Sequence, residues 1–131
     1  MIVLDASAAL DGLLNPAGHP RIATLLAGSA EPLAAPDLID VEVMSVLRRW
    51  ERGAEISPGR ARETLDDLAV LPVMRYPART ITDGAWELRH NLSAYDAHYV
   101  ALARALSATL LTTDTGMADA ARRARVAVLA L

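Results

Sequence analysis

The chain contains no cysteine, no lysine and no phenylalanine, and no apolar run reaches the roughly 20 residues a membrane span needs. Without cysteine there is no disulfide framework, no thiolate metal site and no cysteine nucleophile, so a soluble, cytoplasmic protein is expected. Without lysine, chemistry that needs an ε-amine is excluded: a P-loop, a Schiff base, the phosphate clamp of a receiver domain. All thirteen basic residues are arginine, and the formal net charge is −3, which argues against a broad basic surface that coats nucleic acid while leaving room for a local basic stripe. The first apolar run carries Asp5 and has no basic flank, unlike a secretory leader. Alanine is abundant, which suits closely packed helices with small contact residues.

What is present is an alternation of strand-like and helix-like segments over 131 residues, a length that suits one domain, 1–131, with a parallel sheet covered by helices. Residues 2–5 read as the first strand, and Ser7 is placed to cap a helix through about Leu14. After the loop "NPAGHP" a second helix carries Pro20 in its first turn and stops near Gly28. A short strand within "AEPLAAPDLI" precedes a long helix from Asp37 to Arg52, with Ile39, Val43, Leu47 and Trp50 on one face and Gly53 as its terminator. Ser57 and Pro58 start another helix to about Leu71, followed by the strand "PVMRYP". Thr80 or Thr82 is expected to cap a helix reaching Leu88 and His90, and Ser93 one through Leu106; the strand 109–112, a helix in "GMADAARRAR" and a strand in "VAVLAL" complete the chain.

Two strands end on a carboxylate: "MIVLDAS" on Asp5 and "LLTTD" on Asp114. In an open parallel α/β sheet, ligands gather beyond the carboxyl ends of the strands where the strand order reverses, so the two acids would face one crevice if their strands are neighbours. Asp96 starts the helix that leads into the strand 109–112, which puts it at the same edge. Glu42 lies about a turn into the long helix and can point inward. Several carboxylates in one place repel each other, and the usual outcomes are a raised pKa or a bound cation. An all-oxygen set suits magnesium or manganese and hence phosphodiester chemistry.

Asp5 in "VLDAS", Glu42 in "DLIDVEVMSVLRR", Asp96 in "SAYDAHYVALA" and Asp114 in "LLTTDTGMADAAR" together resemble the PIN-domain nucleases, most closely the VapC-type toxins of bacterial toxin–antitoxin pairs, over essentially the whole chain. The resemblance implies an α/β fold, a three-layer α/β/α PIN-like domain with a central parallel sheet. It also implies a Mg2+- or Mn2+-dependent endoribonuclease, an RNA substrate, an antitoxin that occupies the groove, and a homodimer. By position Asp5 and Asp96 resemble the principal metal ligands, Asp114 a third ligand directly or through water, and Glu42 an acid that positions water; Ser7 and Thr113 resemble accessory polar groups. Many relatives carry a further acid two or three positions after the last aspartate, where this chain has Gly116 and Met117; Asp119 substitutes for it only if its helix turns inward.

Each residue also has a plainer reading. Asp5 with Ser7 can be a strand end and its cap, Asp114 a turn aspartate, Glu42 a solvated helix acid and Asp96 a first-turn acid favoured by the helix dipole. His98, two residues from Asp96, falls on another helix face and reads as structural or exposed, and His19 and His90 sit in or beside loops. Arg48, Arg49 and Arg52 suit the helix C-terminus or solvent, with RNA phosphates as the alternative; Trp50, Trp86 and Tyr99 suit core or dimer contacts, and Asp66 and Asp67 a solvated face. Two rival functions stand beside the nuclease: a non-catalytic PIN-fold protein-interaction domain whose acids bind a partner's arginine, and a phosphatase-like hydrolase. The latter expects a second aspartate where Ser7 stands, and a lysine.

Overall fold

Ile2, Val3 and Leu4 are all buried, the mark of a strand covered on both faces, and they form β1 (Ile2–Leu4) at the centre of the sheet. The computed structural model describes residues 1–28 and 30–131. After β1 the order is α1 (Ala6–Leu14), α2 (Pro20–Leu26), β2 (Leu33–Pro36), α3 (Ile39–Arg52), α4 (Pro58–Val70), β3 (Val73–Tyr76), a 3-10 turn (Ala78–Thr80), α5 (Thr82–Glu87), α6 (Ala94–Ala105), β4 (Thr109–Thr112), α7 (Thr115–Arg123) and β5 (Val128–Ala130). The five strands are parallel in the order β3-β2-β1-β4-β5.

That order makes β1 and β4 neighbours and sets the reversal between them, because the chain moves outward from β1 to β3 and then returns to the other side of β1. Ile2 pairs with Thr109, Val3 with Leu110 and Leu4 with Leu111, so Asp5 comes level with Thr112. Right-handed crossovers put α1 to α4 on one face and α5 to α7 on the other, the expected three layers. The core is mostly short side chains: Ala8, Ala9, Ala34, Ala35, Ala103 and Ala121 are fully buried among Val3, Leu4, Ile22, Val43, Leu110 and Leu111. A Cβ at Gly12 would come within 2.6 Å of Ile22 and Leu26, so α1 and α2 approach at a distance only glycine permits. No helix among the described residues is long and apolar enough to cross a membrane.

Several helix boundaries differ from expectation. Asp5, not Ser7, is the N-cap of α1, accepting a hydrogen bond from Ala8 N–H at 2.8 Å. The long helix starts at Ile39 rather than Asp37, whose carboxylate accepts instead from Ala78 N–H across the β2–β3 edge. Neither Thr80 nor Thr82 caps α5: their hydroxyls donate back to the carbonyls of Pro77 and Ala78. The helix ends at Arg52 with Gly53 as its C-cap, as expected, although Gly53 keeps an ordinary negative φ and the left-handed residue is the next one, Ala54 at φ 56. Ser57 and Ser93 cap α4 and α6 as expected.

Candidate active site

The two strand-end acids follow one local rule. Each ends its strand in extended conformation, turns the chain into a helix, and accepts from the N–H three residues on: Asp5 from Ala8 at 2.8 Å, Asp114 from Met117 at 3.0 Å. The plain reading of each as a cap or turn residue is therefore correct locally, and it also explains why both carboxylates stand at the carboxyl edge of the sheet. Capping uses Oδ1 of each group, and both residues line the crevice.

Asp5, Glu42, Asp96 and Asp114 all line one cleft of about 310 Å³, formed by the start of α1, one face of α3, the first turns of α6 and the start of α7. Ser93 sets Asp96 at the mouth by capping α6 through the Asp96 N–H at 3.2 Å. Glu42 comes inward because it follows buried Ile39 by three residues and precedes Val46 by four on the cleft side of α3.

Asp5 is the deepest, with 3% of its surface exposed. It accepts from Thr112 Oγ1 at 2.6 Å and from Ser7 Oγ at 2.8 and 3.0 Å. Burial outweighs these donors and pushes its pKa up to about 6; the neighbouring charge of Asp96 adds to the rise. Asp96 is raised by burial and by Asp114, and Glu42 by burial and then by Asp96 and Asp5, opposed by Tyr99 and His98. The four groups are one electrostatic cluster. Glu42 Oε1 is buried without a hydrogen-bond partner, as is the hydroxyl of Tyr99, and both residues line the cleft.

Among the described residues, no three of His, Asp or Glu stand close enough to hold an ion as their side chains lie. Magnesium keeps several of its waters and is commonly held by one or two carboxylates, so it needs no such cage. Oxygen-only donors, mutual repulsion and an unpartnered buried carboxylate oxygen fit a hard divalent cation in kind.

The two residues expected as an accessory pair, Ser7 and Thr113, are placed differently. Ser7 touches both oxygens of Asp5, but the second hydroxyl is that of fully buried Thr112; Thr113 contributes its backbone N–H, which donates to Ser7 Oγ at 3.2 Å. Thr112 Oγ1 also accepts from Asp114 N–H at 3.0 Å and so ties the two acids together. Strand alternation marks Thr112 and Thr113 as facing opposite ways without saying which faces Asp5. Asp119 is exposed and paired with Arg122 at 3.2 Å, away from the cleft, and Met117 is core. Arg49, for which RNA phosphates were the alternative reading, also lines the cleft, as do Trp50, Leu10 and Asp11, which the sequence did not mark as site residues. His98 is half-buried with its ring on the Ala94 carbonyl, Trp86 is exposed beneath the guanidinium of Arg89, and Tyr99 is core.

The PIN domain family matches residues 2–123. Ribonuclease VapC9 of Mycobacterium tuberculosis is 46% identical over 119 residues, 91% of this chain and 90% of the relative. Ribonuclease VapC1 of the same organism is 44% identical over 121 residues, covering 90% and 89%. Among solved structures, VapBC2 from Rickettsia felis, bound to a DNA fragment from their promoter, superposes with a TM-score of 0.73 at 16% identity over 99% of this chain and 98% of that one, a likeness of fold. The chain belongs to the PIN-domain family and, within it, to the VapC ribonucleases.

Proposed function

We propose that the protein is a Mg2+- or Mn2+-dependent endoribonuclease over residues 1–131 as one domain, acting in the cytoplasm as the toxin of a toxin–antitoxin pair and forming a homodimer. The observation that carries this reading is the convergence of Asp5, Glu42, Asp96 and Asp114 on one cleft at the β1–β4 reversal, in a chain 46% identical to a ribonuclease.

Asp5, Asp96 and Asp114 would hold the cation. When bound, it polarises the scissile phosphate and makes a water acidic enough to supply hydroxide near neutral pH. The protein's own part is positional and electrostatic. Thr112 and Ser7 fix the rotamer of Asp5 through its two oxygens. Glu42, which lines the same cleft, would accept a hydrogen bond from the attacking water and orient it. The carboxyls raised by burial and mutual repulsion fall back toward the ordinary range once positive charge is present, so metal uptake releases protons. An antitoxin closes the groove by presenting a cation to the same acids; the solved VapBC2 neighbour supports a two-protein assembly.

A second reading, a non-catalytic interaction domain on the same fold, would use the same cluster of cleft acids to bind an arginine of a partner protein. One experiment separates them. Purified protein is incubated with RNA with and without Mn2+, beside Asp5→Asn and Asp96→Asn, which keep side-chain size and remove charge. Cleavage by the parent that requires metal and is lost in both variants, with folding retained, is the expected result. Full activity in Asp5→Asn with undiminished metal binding would overturn the assignment. No cleavage by a folded, metal-loaded parent, with inhibition replaced by simple binding of the neighbouring gene's product, would favour the interaction domain.

A further inference from the structure

One wall of the cleft is a face of α3 that carries both an acid and a base into it. Glu42, Val46, Arg49 and Trp50 stand at i, i+4, i+7 and i+8, on one helix face, and all of them line the cleft. At the α-helical rise, Arg49 is about 10 Å along the axis from Glu42. Arg49 is the only basic side chain of a lining that includes five acids: Asp5, Asp11, Glu42, Asp96 and Asp114. Arg49 nevertheless forms no ion pair among the described residues, whereas Arg60, Arg62, Arg75, Arg104 and Arg122 each have an acidic partner. Asp11, which could have neutralised it, faces His19 at 3.8 Å. Arg49 is exposed, and Trp50, the next residue of α3, packs partly on the core and partly lines the cleft.

A guanidinium without an ion-pair partner and an indole, both lining one acid-rich cleft, match two parts of a nucleotide: a phosphate and a base. We propose that Arg49 and Trp50 clamp a single-stranded nucleotide that flanks the scissile phosphate, the guanidinium on its phosphate and the indole on its base. The inference rests on the ribonuclease reading and names its substrate class. The acids alone repel an RNA strand, so away from the bound cation the strand needs local positive charge, and Arg49 is where the cleft supplies it. Stacking on an indole accepts any base but requires it to be unstacked from its neighbours, which selects single strands, loops and bulges over duplex. Arg49 and Trp50 are positioning residues: they hold the strand in register and do not touch the reacting atoms.

The test uses the full chain carrying Trp86→Phe, which alters an exposed residue outside the cleft and leaves Trp50 as the only tryptophan. A short single-stranded RNA with 2′-deoxy linkages is titrated in chelator, reading Trp50 fluorescence quenching and, for Trp50 variants, anisotropy of a labelled strand. Quenching is expected, with affinity weakened about tenfold by Trp50→Leu and restored by Trp50→Tyr. Arg49→Gln should weaken binding by about three- to tenfold and lower the salt slope by about one, with Arg49→Lys restoring most of both. In cleavage assays with Mn2+ both variants should raise KM with kcat largely kept. Equal binding by Arg49→Gln, Trp50→Leu and the parent, or tighter binding of a duplex of the same sequence, would overturn the clamp. Metal-dependent cleavage by the parent with unaffected variants removes the clamp and leaves the ribonuclease; binding that depends on both residues without cleavage does the reverse.

Discussion

Thr112 Oγ1 donates to Asp5 Oδ2 at 2.6 Å across the β1–β4 junction, and the same oxygen accepts from Asp114 N–H at 3.0 Å. One buried hydroxyl thus joins the two strand-end acids, and its bond to Asp5 is the strongest influence opposing the rise in that carboxyl's pKa. Thr112→Val keeps the shape and removes the donor. The expected cost is about 1–3 kcal/mol, since a buried acceptor loses a partner, together with weaker Mn2+ binding. Thr112→Ser should recover most of the metal affinity. Chemical denaturation and isothermal titration check the two; a Val variant with parent-like metal affinity would deny Thr112 any role in the site.

Asp5 gives a pH prediction with a definite sign. Its pKa in the folded protein is about 6, against about 4 for an ordinary carboxylate, so in chelator the folded state holds a proton that the unfolded chain has released between those values. Below about pH 4 both states are protonated and the group is neutral to stability. As pH rises through the window stability falls, and above about 6 a cost of about 3 kcal/mol is fully present. The raised carboxyls of Glu42 and Asp96 act in the same direction. Asp5→Asn should therefore gain on the parent as pH rises from about 4 to about 7 in urea melts without metal, and saturating Mn2+ should close the gap by stabilising only the parent. Parallel stability curves across that range would show that Asp5 is not ionised at a cost.

The convergence of the acids was legible in the sequence because it depends on topology. A carboxylate that ends a parallel strand or starts the helix before one must lie at the carboxyl edge, and Glu42 follows from the period of α3. Local choices between similar residues were not legible. Asp5 and Ser7 are both good caps, and only the extended backbone at Asp5 decides between them. Thr80 and Thr82 could cap, but their hydroxyls find nearer carbonyls. Asp37 looks like a helix start and serves instead the backbone after β3. In each case the deciding partner lies elsewhere in the fold or in a backbone angle that residue type does not encode.

Ala54 shows this at the end of α3. Glycine precedes it, yet Ala54 takes the left-handed conformation at φ 56 while Gly53 stays at φ −83. A Cβ in that region is strained, so Ala54→Gly should stabilise the protein by about 0.5–1 kcal/mol, with the extra entropy of the unfolded glycine offsetting part of the relief. Gly53→Ala in the same chain should be close to neutral, apart from a 3.1 Å approach to the flexible Glu55 carboxylate. Thermal melts that place the Ala54→Gly variant below the parent would contradict the strain at this turn.

Tyr99 and Glu42 offer a test of what the floor of the cleft contributes. The Tyr99 hydroxyl and Glu42 Oε1 are both buried without a hydrogen-bond partner, while the hydroxyl's dipole still favours the charged carboxylate. Burial and then the Glu42 charge raise the phenol's pKa, so it stays protonated. Since no complete hydrogen bond is lost, Tyr99→Phe should lie within about 1 kcal/mol of the parent, whereas Tyr99→Ala opens a core cavity and should cost about 3–5 kcal/mol. The Phe variant should also titrate Glu42 at higher pH, which carboxyl carbon NMR in chelator reads directly. If Glu42 titrates unchanged and stability drops by much more than about 1 kcal/mol, the hydroxyl is bonded to something other than Glu42, and its influence on the acid is indirect.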